Sequence, residues 1–180
     1  DRWVVKHTLE WVCANQERIE QCSINLSGQS MGDKGFMAFV LQSLERSGVR
    51  CDKLCFEITE TAAISNMQTA NRFVATLREL GCKLSLDDFG SGLSSFAYLR
   101  NLPVDVLKID GQFVKDIAHD PISLAMVKSI HEIGCLMGKQ TVAEFVESQA
   151  ILDLLLEIGV HYAQGYAVGR PVPLNQVLVA

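Results

Sequence analysis

The 180-residue sequence has no apolar run of the roughly 18 or more residues that a membrane-crossing helix needs, and no basic start followed by a signal-peptide core. A cytoplasmic domain is the expectation, with any membrane anchor carried elsewhere in a parent protein. Positive charge is short as well: 16 Lys and Arg stand against 21 Asp and Glu, a formal net charge of -5 at pH 7. That balance excludes a general basic surface for wrapping a DNA or RNA polymer, while a nucleotide held through metal ions is compatible with it. The six cysteines include no CxxC pair and no Cys/His group at zinc-finger spacing along the chain, and they lie mostly in apolar stretches, so buried reduced thiols are expected. Only 4 prolines and 13 glycines interrupt the chain, and nothing in the composition signals disorder.

What is present is a sequence that is 48% hydrophobic and 21% charged, enough apolar material for one core in a chain too short for two full-sized domains. Trp3, Val4, His7, Trp11 and Val12 recur at roughly helical spacing, so a helix is expected from Asp1 to about Gln16, without an evident N-cap. Short apolar runs then alternate with longer amphipathic stretches, the pattern of βα units around a parallel sheet. Strands are expected at Cys22–Leu26, Leu54–Thr59, Lys83–Asp87, Val106–Ile109, Gln140–Ala143 and Tyr162–Gly165. Helices are expected at Gly35–Glu45, Met67–Leu80, Ile122–Met137 and Ser148–Glu157, followed by Gly48, Gly81, Gly138 and Gly159 as left-handed caps.

Polar side chains gather at the far ends of these strands: Asn25, Glu57 with Glu60, Asp87 with Asp88, Lys108 with Asp110, Glu144 with Glu147, and Gln164. In a parallel sheet the carboxyl ends of all strands share one edge, so equivalent positions converge in space while staying distant in sequence. Because every strand contributes, a closed barrel is favoured over an open doubly wound sheet with a single switch point.

Glu57, Asp87, Asp88 and Glu144 follow or interrupt apolar strands, where a carboxylate is costly to desolvate without a cation or a hydrogen-bond partner. Hard oxygen ligands of this kind suit Mg²⁺ or Mn²⁺, with Asn25 adding a neutral amide oxygen. Adjacent Asp87 and Asp88 suit two ions sharing a bridging carboxylate, the arrangement that activates water in phosphodiester hydrolysis. Helix capping explains any one acid equally well, but the whole set at matching strand ends less well. Lys108, inside the apolar run Val106-Leu107-Lys108-Ile109-Asp110, is expected to face acids or a phosphate, with a salt bridge to Asp110 as the plainer alternative. The segment Asp87-Asp88-Phe89-Gly90-Ser91-Gly92-Leu93-Ser94-Ser95 reads as a lid that can approach a ligand closely. It lacks the Gly-Lys-Ser/Thr ending of a phosphate-cradling P-loop. Tyr166, near the chain end, is expected to pack in the core rather than to stack on a base.

These motifs, in order and at comparable spacing, resemble those of the EAL-type cyclic di-GMP phosphodiesterase domain. They are Asn25-Leu26-Ser27, Phe56-Glu57-Ile58-Thr59-Glu60, Asp87-Asp88-Phe89-Gly90-Ser91-Gly92, Leu107-Lys108-Ile109-Asp110, Ala143-Glu144-Phe145-Val146-Glu147 and Gln164-Gly165-Tyr166. The resemblance implies an α/β fold, a TIM-like (β/α)8 barrel of which about six βα units lie in residues 1–180. It also implies hydrolysis of cyclic di-GMP to linear pGpG with two Mg²⁺ or Mn²⁺ ions, which lowers this bacterial second messenger. By position, Asn25, Glu57, Asp87, Asp88 and Glu144 match metal-binding residues, and Glu144, Lys108 and Asp88 match catalytic ones. Gln164, Lys108 and Glu147 match substrate-binding positions, and Glu60 matches a glutamate that anchors the loop after Asp88. The Glu-Ala-Leu signature of the family's first strand is absent, so residues 1–180 are read as an N-terminally truncated domain. The resemblance further implies sensor or GGDEF-type domains in the parent protein and a homodimer. A catalytically inactive cyclic di-GMP receptor or protein-interaction module is the alternative.

Overall fold

The computed structural model describes residues 1–90 and 97–177, which fall into two compact units, Asp1–Asp87 with Gly92–Val106, and Asp88–Ser91 with Leu107–Ala180. The first unit runs through α1 (Arg2–Asn15), β1 (Cys22–Leu26), α2 (Gly28–Gly32), α3 (Phe36–Ser47), β2 (Leu54–Thr59), α4 (Glu60–Ser65), α5 (Met67–Glu79) and β3 (Lys83–Phe89), whose last two residues belong to the second unit. The second continues with β4 (Val106–Ile109), whose first residue belongs to the first unit, then α6 (Gly111–Val114), α7 (Pro121–Leu136), β5 (Gln140–Ala143), α8 (Gln149–Ile158) and β6 (Tyr162–Ala163). Strand followed by helix is the repeating element in both, as the alternation of apolar runs and amphipathic stretches predicts.

In the first unit β1, β2 and β3 pair in parallel, with Ile24 opposite Phe56 and Phe56 opposite Leu84. Side chains alternate across a strand, so Ile24, Phe56 and Leu84 share one face, all buried, with Leu26, Ile58 and Leu86 beyond them. The helices supply matching stripes. Phe36, Val40 and Leu44 recur every four residues along α3, and Ala70, Phe73, Val74 and Leu77 line α5. The Phe36 and Phe73 rings meet at 6.3 Å.

The second unit follows the same logic. Its strand ends are tied in sequence order: Asp110 N–H donates to the Phe89 carbonyl (3.2 Å), Glu144 N–H to Ile109 (3.3 Å) and Gln164 N–H to Ala143 (2.8 Å). Helix α7 starts at Asp120, whose carboxylate accepts from Ile122 and Ser123 N–H, with Pro121 placed where no amide is needed. Ser148 caps α8 by accepting from Ile151 N–H. Gly48 and Gly159 end α3 and α8 at φ of 67° and 89°, the left-handed caps expected of them.

The differences from expectation are local. β3 extends to Phe89, and β6 stops at Ala163 because Gln164 turns its carbonyl to accept from Val146 N–H (3.1 Å). The short helices α2, α4 and α6 carry too few residues for an apolar period to show. The cysteines are free, but only Cys55 and Cys82 are buried and Cys135 is exposed, which corrects the expectation of a generally buried set. Burial pushes the Cys55 thiol up to about 12. Among the described residues no helix is long and apolar enough to cross a membrane.

Candidate functional site

Parallel pairing places Asn25 opposite Glu57 and Glu57 opposite Ser85, a polar row across the strands of the first unit. Asp87, opposite Thr59, lies two residues further along the same face. The apolar residues between them point the other way, which is why a carboxylate is tolerated inside a strand as apolar as β2. Asn25 is exposed and Glu57 is only 7% exposed. The Ser85 hydroxyl in this row is buried and has no hydrogen-bond partner among the described residues. An unmet hydroxyl beside a buried carboxylate fits a polar guest better than an apolar one.

Glu60 opens α4, after Thr59 has capped the helix by accepting from Ala62 N–H. Its carboxylate is 3% exposed and accepts the Tyr98 hydroxyl at 2.7 Å. Burial, then the Glu60 carboxylate, pushes the Tyr98 phenol well above its ordinary value. Residues 91–95 of the expected lid lie outside the described residues; Tyr98 follows them in the chain.

In the second unit Lys108 and Glu144, at the ends of β4 and β5, form an ion pair of 2.8 Å with side chains only 6% and 11% exposed. This decides between the two readings of Lys108, because Asp110 instead caps α6 by accepting from Gln112 N–H at 2.8 Å. Carboxylate oxygens of Asp88 and Glu144 lie within 4.8 Å of each other, and Asp87 precedes Asp88 in the chain. Asp88 and Glu144 thus offer the hard oxygen donors that a divalent cation takes.

Backbone strain marks the same places. Asp88 has φ of 55° and Phe145, directly after Glu144, has φ of 51°, the only non-glycine residues with positive φ among those described. For a bulky aromatic this conformation is costly and persists only where the surroundings enforce it. The enforcement is visible: the Phe145 ring lies on Gly111, where a Cβ would run into it, and Gly165 lies against the Val146 backbone in the same way. Phe145, Glu147, Gln164, Tyr166 and Arg170 line a cleft of about 670 Å³ in this unit. Tyr166 is 61% exposed, with the Arg170 guanidinium 5.2 Å from its ring centroid, which corrects the expectation that it packs in the core. Sequence reasoning named Glu147 and Gln164 but missed Tyr98, Gly111 and Phe145. The adjacency of Gly111 to Asp110 and of Phe145 to Glu144 was the available signal.

The EAL domain family model matches residues 1–171. Cyclic di-GMP phosphodiesterase PdeB of Shewanella oneidensis is 46% identical over 176 residues, covering 97% of this chain and 21% of that protein. Cyclic di-GMP phosphodiesterase PdeF of Escherichia coli is 37% identical over 180 residues, covering 99% of this chain and 24% of that protein. The chain thus spans about a fifth to a quarter of the length of these curated relatives. Among solved structures, the PaMucR phosphodiesterase in complex with c-di-GMP superposes with a TM-score of 0.92 at 31% identity, over 98% of this chain and 73% of that one. Parallel βα units with acids at their strand ends, a family match over nearly all residues and this structural likeness agree, and the chain belongs to the EAL domain family, with its α/β, TIM-like barrel fold.

Proposed function

We propose that this chain carries the catalytic site of a metal-dependent phosphodiesterase that opens cyclic di-GMP to linear pGpG. The observation that carries the reading is the buried Lys108–Glu144 pair at 2.8 Å with the Asp88 carboxylate within 4.8 Å of Glu144. Membership of the EAL family and the named activity of the two relatives support it.

Two Mg²⁺ or Mn²⁺ ions are the proposed cofactors. In the first unit Asn25, Glu57 and Asp87 are the oxygen donors that would hold them, and in the second unit Asp88 and Glu144. When bound, such ions acidify water and offset charge on the leaving oxygen. The chain's own residues do the rest. Glu144, paired with Lys108, accepts a proton from the attacking water. The water oxygen bonds to phosphorus, the bond to the leaving ribose oxygen breaks, and that oxygen takes up a proton. The Lys108 ammonium stabilises negative charge gathering on the phosphoryl oxygens. Gln164 and Glu147 contact the substrate from the cleft that they line. Glu60 anchors the loop after Asp88 through Tyr98. Sensor or GGDEF-type domains in the parent protein, a homodimer and a cytoplasmic location complete the proposal.

The test is incubation of the chain with cyclic di-GMP and Mg²⁺ or Mn²⁺, followed by chromatographic separation of products, with Glu57→Ala as control. Linear dinucleotide from the wild type alone establishes the reading. Binding of cyclic di-GMP without product from either protein would make the chain a receptor.

A further inference from the structure

We propose that His131, Cys135 and His161 form a binding site for a borderline-soft divalent cation, Zn²⁺ in the first place, separate from the acidic residues of the second unit. One donor atom from each of the three lies within 4.8 Å of the others. The site is legible only in three dimensions. His131 and Cys135 are one helical turn apart on α7, and His161 comes from the residue before β6, so no compact zinc-finger spacing appears along the chain.

Helix α7 is pressed close to β5 at Gly134, where a Cβ would stand 2.9 Å from Thr141 Cγ2. That approach sets His131 Nδ1 2.8 Å from the Thr141 hydroxyl, which lies 3.0 Å from His161 Nδ1. The Thr141 N–H donates to His161 Nδ1 at 3.1 Å, so this nitrogen carries no proton and accepts the Thr141 hydroxyl proton too. Thr141 Oγ1 is then left to accept from His131 Nδ1–H. The tautomer of His131 follows: Nε2 holds the lone pair, and Cys135 Sγ stands to the side of its axis, 3.6 Å from Nε2 and 3.9 Å from Nδ1. An imidazole whose second nitrogen is tied to a fixed partner is the usual form of a metal-ligating histidine.

The spacing fits the ion. With Zn–N of about 2.0–2.1 Å and Zn–S of about 2.3 Å, tetrahedral N and S donors stand about 3.5 Å apart. The 3.6 Å between His131 Nε2 and Cys135 Sγ matches that span, and a rotation of the two side chains aims lone pair and sulfur at one ion as the thiol proton is exchanged for the metal. His161 enters as the third ligand when its exposed ring turns from Thr141, so its two hydrogen bonds to Thr141 are exchanged for the ion while the Thr141 hydroxyl keeps accepting from His131 Nδ1–H. Cys135 and His161 are exposed and His131 is half-buried, which gives the ion a path in and leaves a fourth position for water. Two N donors and one S donor discriminate against Mg²⁺ and Mn²⁺, whereas the oxygen donors Asp88 and Glu144 favour them. The same strand, β5, thus carries Thr141 near its start and Glu144 just past its end, beside two chemically distinct cation sites.

Titration of the full chain with Co²⁺ in the presence of excess Mg²⁺ tests this directly. One equivalent should raise a thiolate-to-cobalt charge-transfer band that Zn²⁺ then abolishes. Cys135→Ser should lose the band, His131→Gln and His161→Gln should each bind at least tenfold more weakly, and Glu144→Gln should titrate like the wild type. Absence of the band, its survival in Cys135→Ser, or a loss under tenfold in either histidine variant would overturn the proposal. Should His131→Gln fail to fold, the exposed Cys135→Ser and His161→Gln decide the matter.

Discussion

Lys108 is the residue in which fold and chemistry meet most directly. An ammonium inside an apolar strand is stable only with a partner, and its partner Glu144 is the group to which the proposal gives the proton of the attacking water. Two outcomes follow at this scale. Lys108→Met removes the ammonium beside a buried carboxylate and should cost about 3–5 kcal/mol, on the order of 10 °C in Tm. The double variant Lys108→Met with Glu144→Gln should recover most of that loss, because the charge that needed compensation is gone. A double variant as unstable as the sum of the singles, by thermal melting of all four proteins, would show that the pair is not coupled. Glu144→Gln keeps the shape and removes the base, so turnover should fall by about 10²–10⁴ while the fold survives. A rate within tenfold of wild type would move the proton elsewhere.

At the scale of elements, the strands were the most legible part of this chain and the junctions the least. β1, β2, β4 and β5 begin and end where their apolar runs do, because a strand buried on both faces, as β4 is throughout and β2 nearly so, reads as a short apolar run. The acids at the strand ends were legible for the same reason, since each interrupts such a run. What was hidden depends on contacts between residues far apart in sequence. Nothing near Glu60 announces Tyr98, and nothing in Gly111 states that the Phe145 ring will lie on it. Both contacts are testable. Gly111→Ala should destabilise the second unit or displace Phe145, and Phe145→Ala in the same chain should relieve the clash. A double variant no more stable than Gly111→Ala would sink this account. The Tyr98 hydroxyl gives a pH test. Its folded pKa is raised, so its contribution is fully present below the unfolded value of about 10 and is lost as pH rises toward the folded one. Unfolding monitored between pH 9 and 12 should show a steeper alkaline loss for the wild type than for Tyr98→Phe. At neutral pH Tyr98→Phe should cost about 1–3 kcal/mol, since Glu60 loses a donor while buried.

At the scale of the whole molecule, charge decides how the proposed substrate can be held. The chain carries a formal net charge of -5, and the residues assigned to the site are mostly carboxylates, while cyclic di-GMP brings two phosphodiester anions of its own. Like charges at close range in a partly desolvated site cost several kcal/mol, more than one Lys108 ammonium offsets. If the acids of each unit hold divalent ions, the sign of the site reverses and the phosphates gain ligands. A slowly hydrolysed phosphorothioate analogue of cyclic di-GMP should therefore bind the wild-type chain at least tenfold more tightly with Mg²⁺ or Mn²⁺ than in chelator, as read by calorimetry or equilibrium dialysis. Raising the concentration of monovalent salt should not substitute for the divalent ion, because screening weakens repulsion without supplying a ligand to the phosphate. Equal affinity in chelator would mean that backbone amides and the cleft residues around Gln164 and Arg170 hold the nucleotide without metal. The acids at the strand ends would then serve turnover alone.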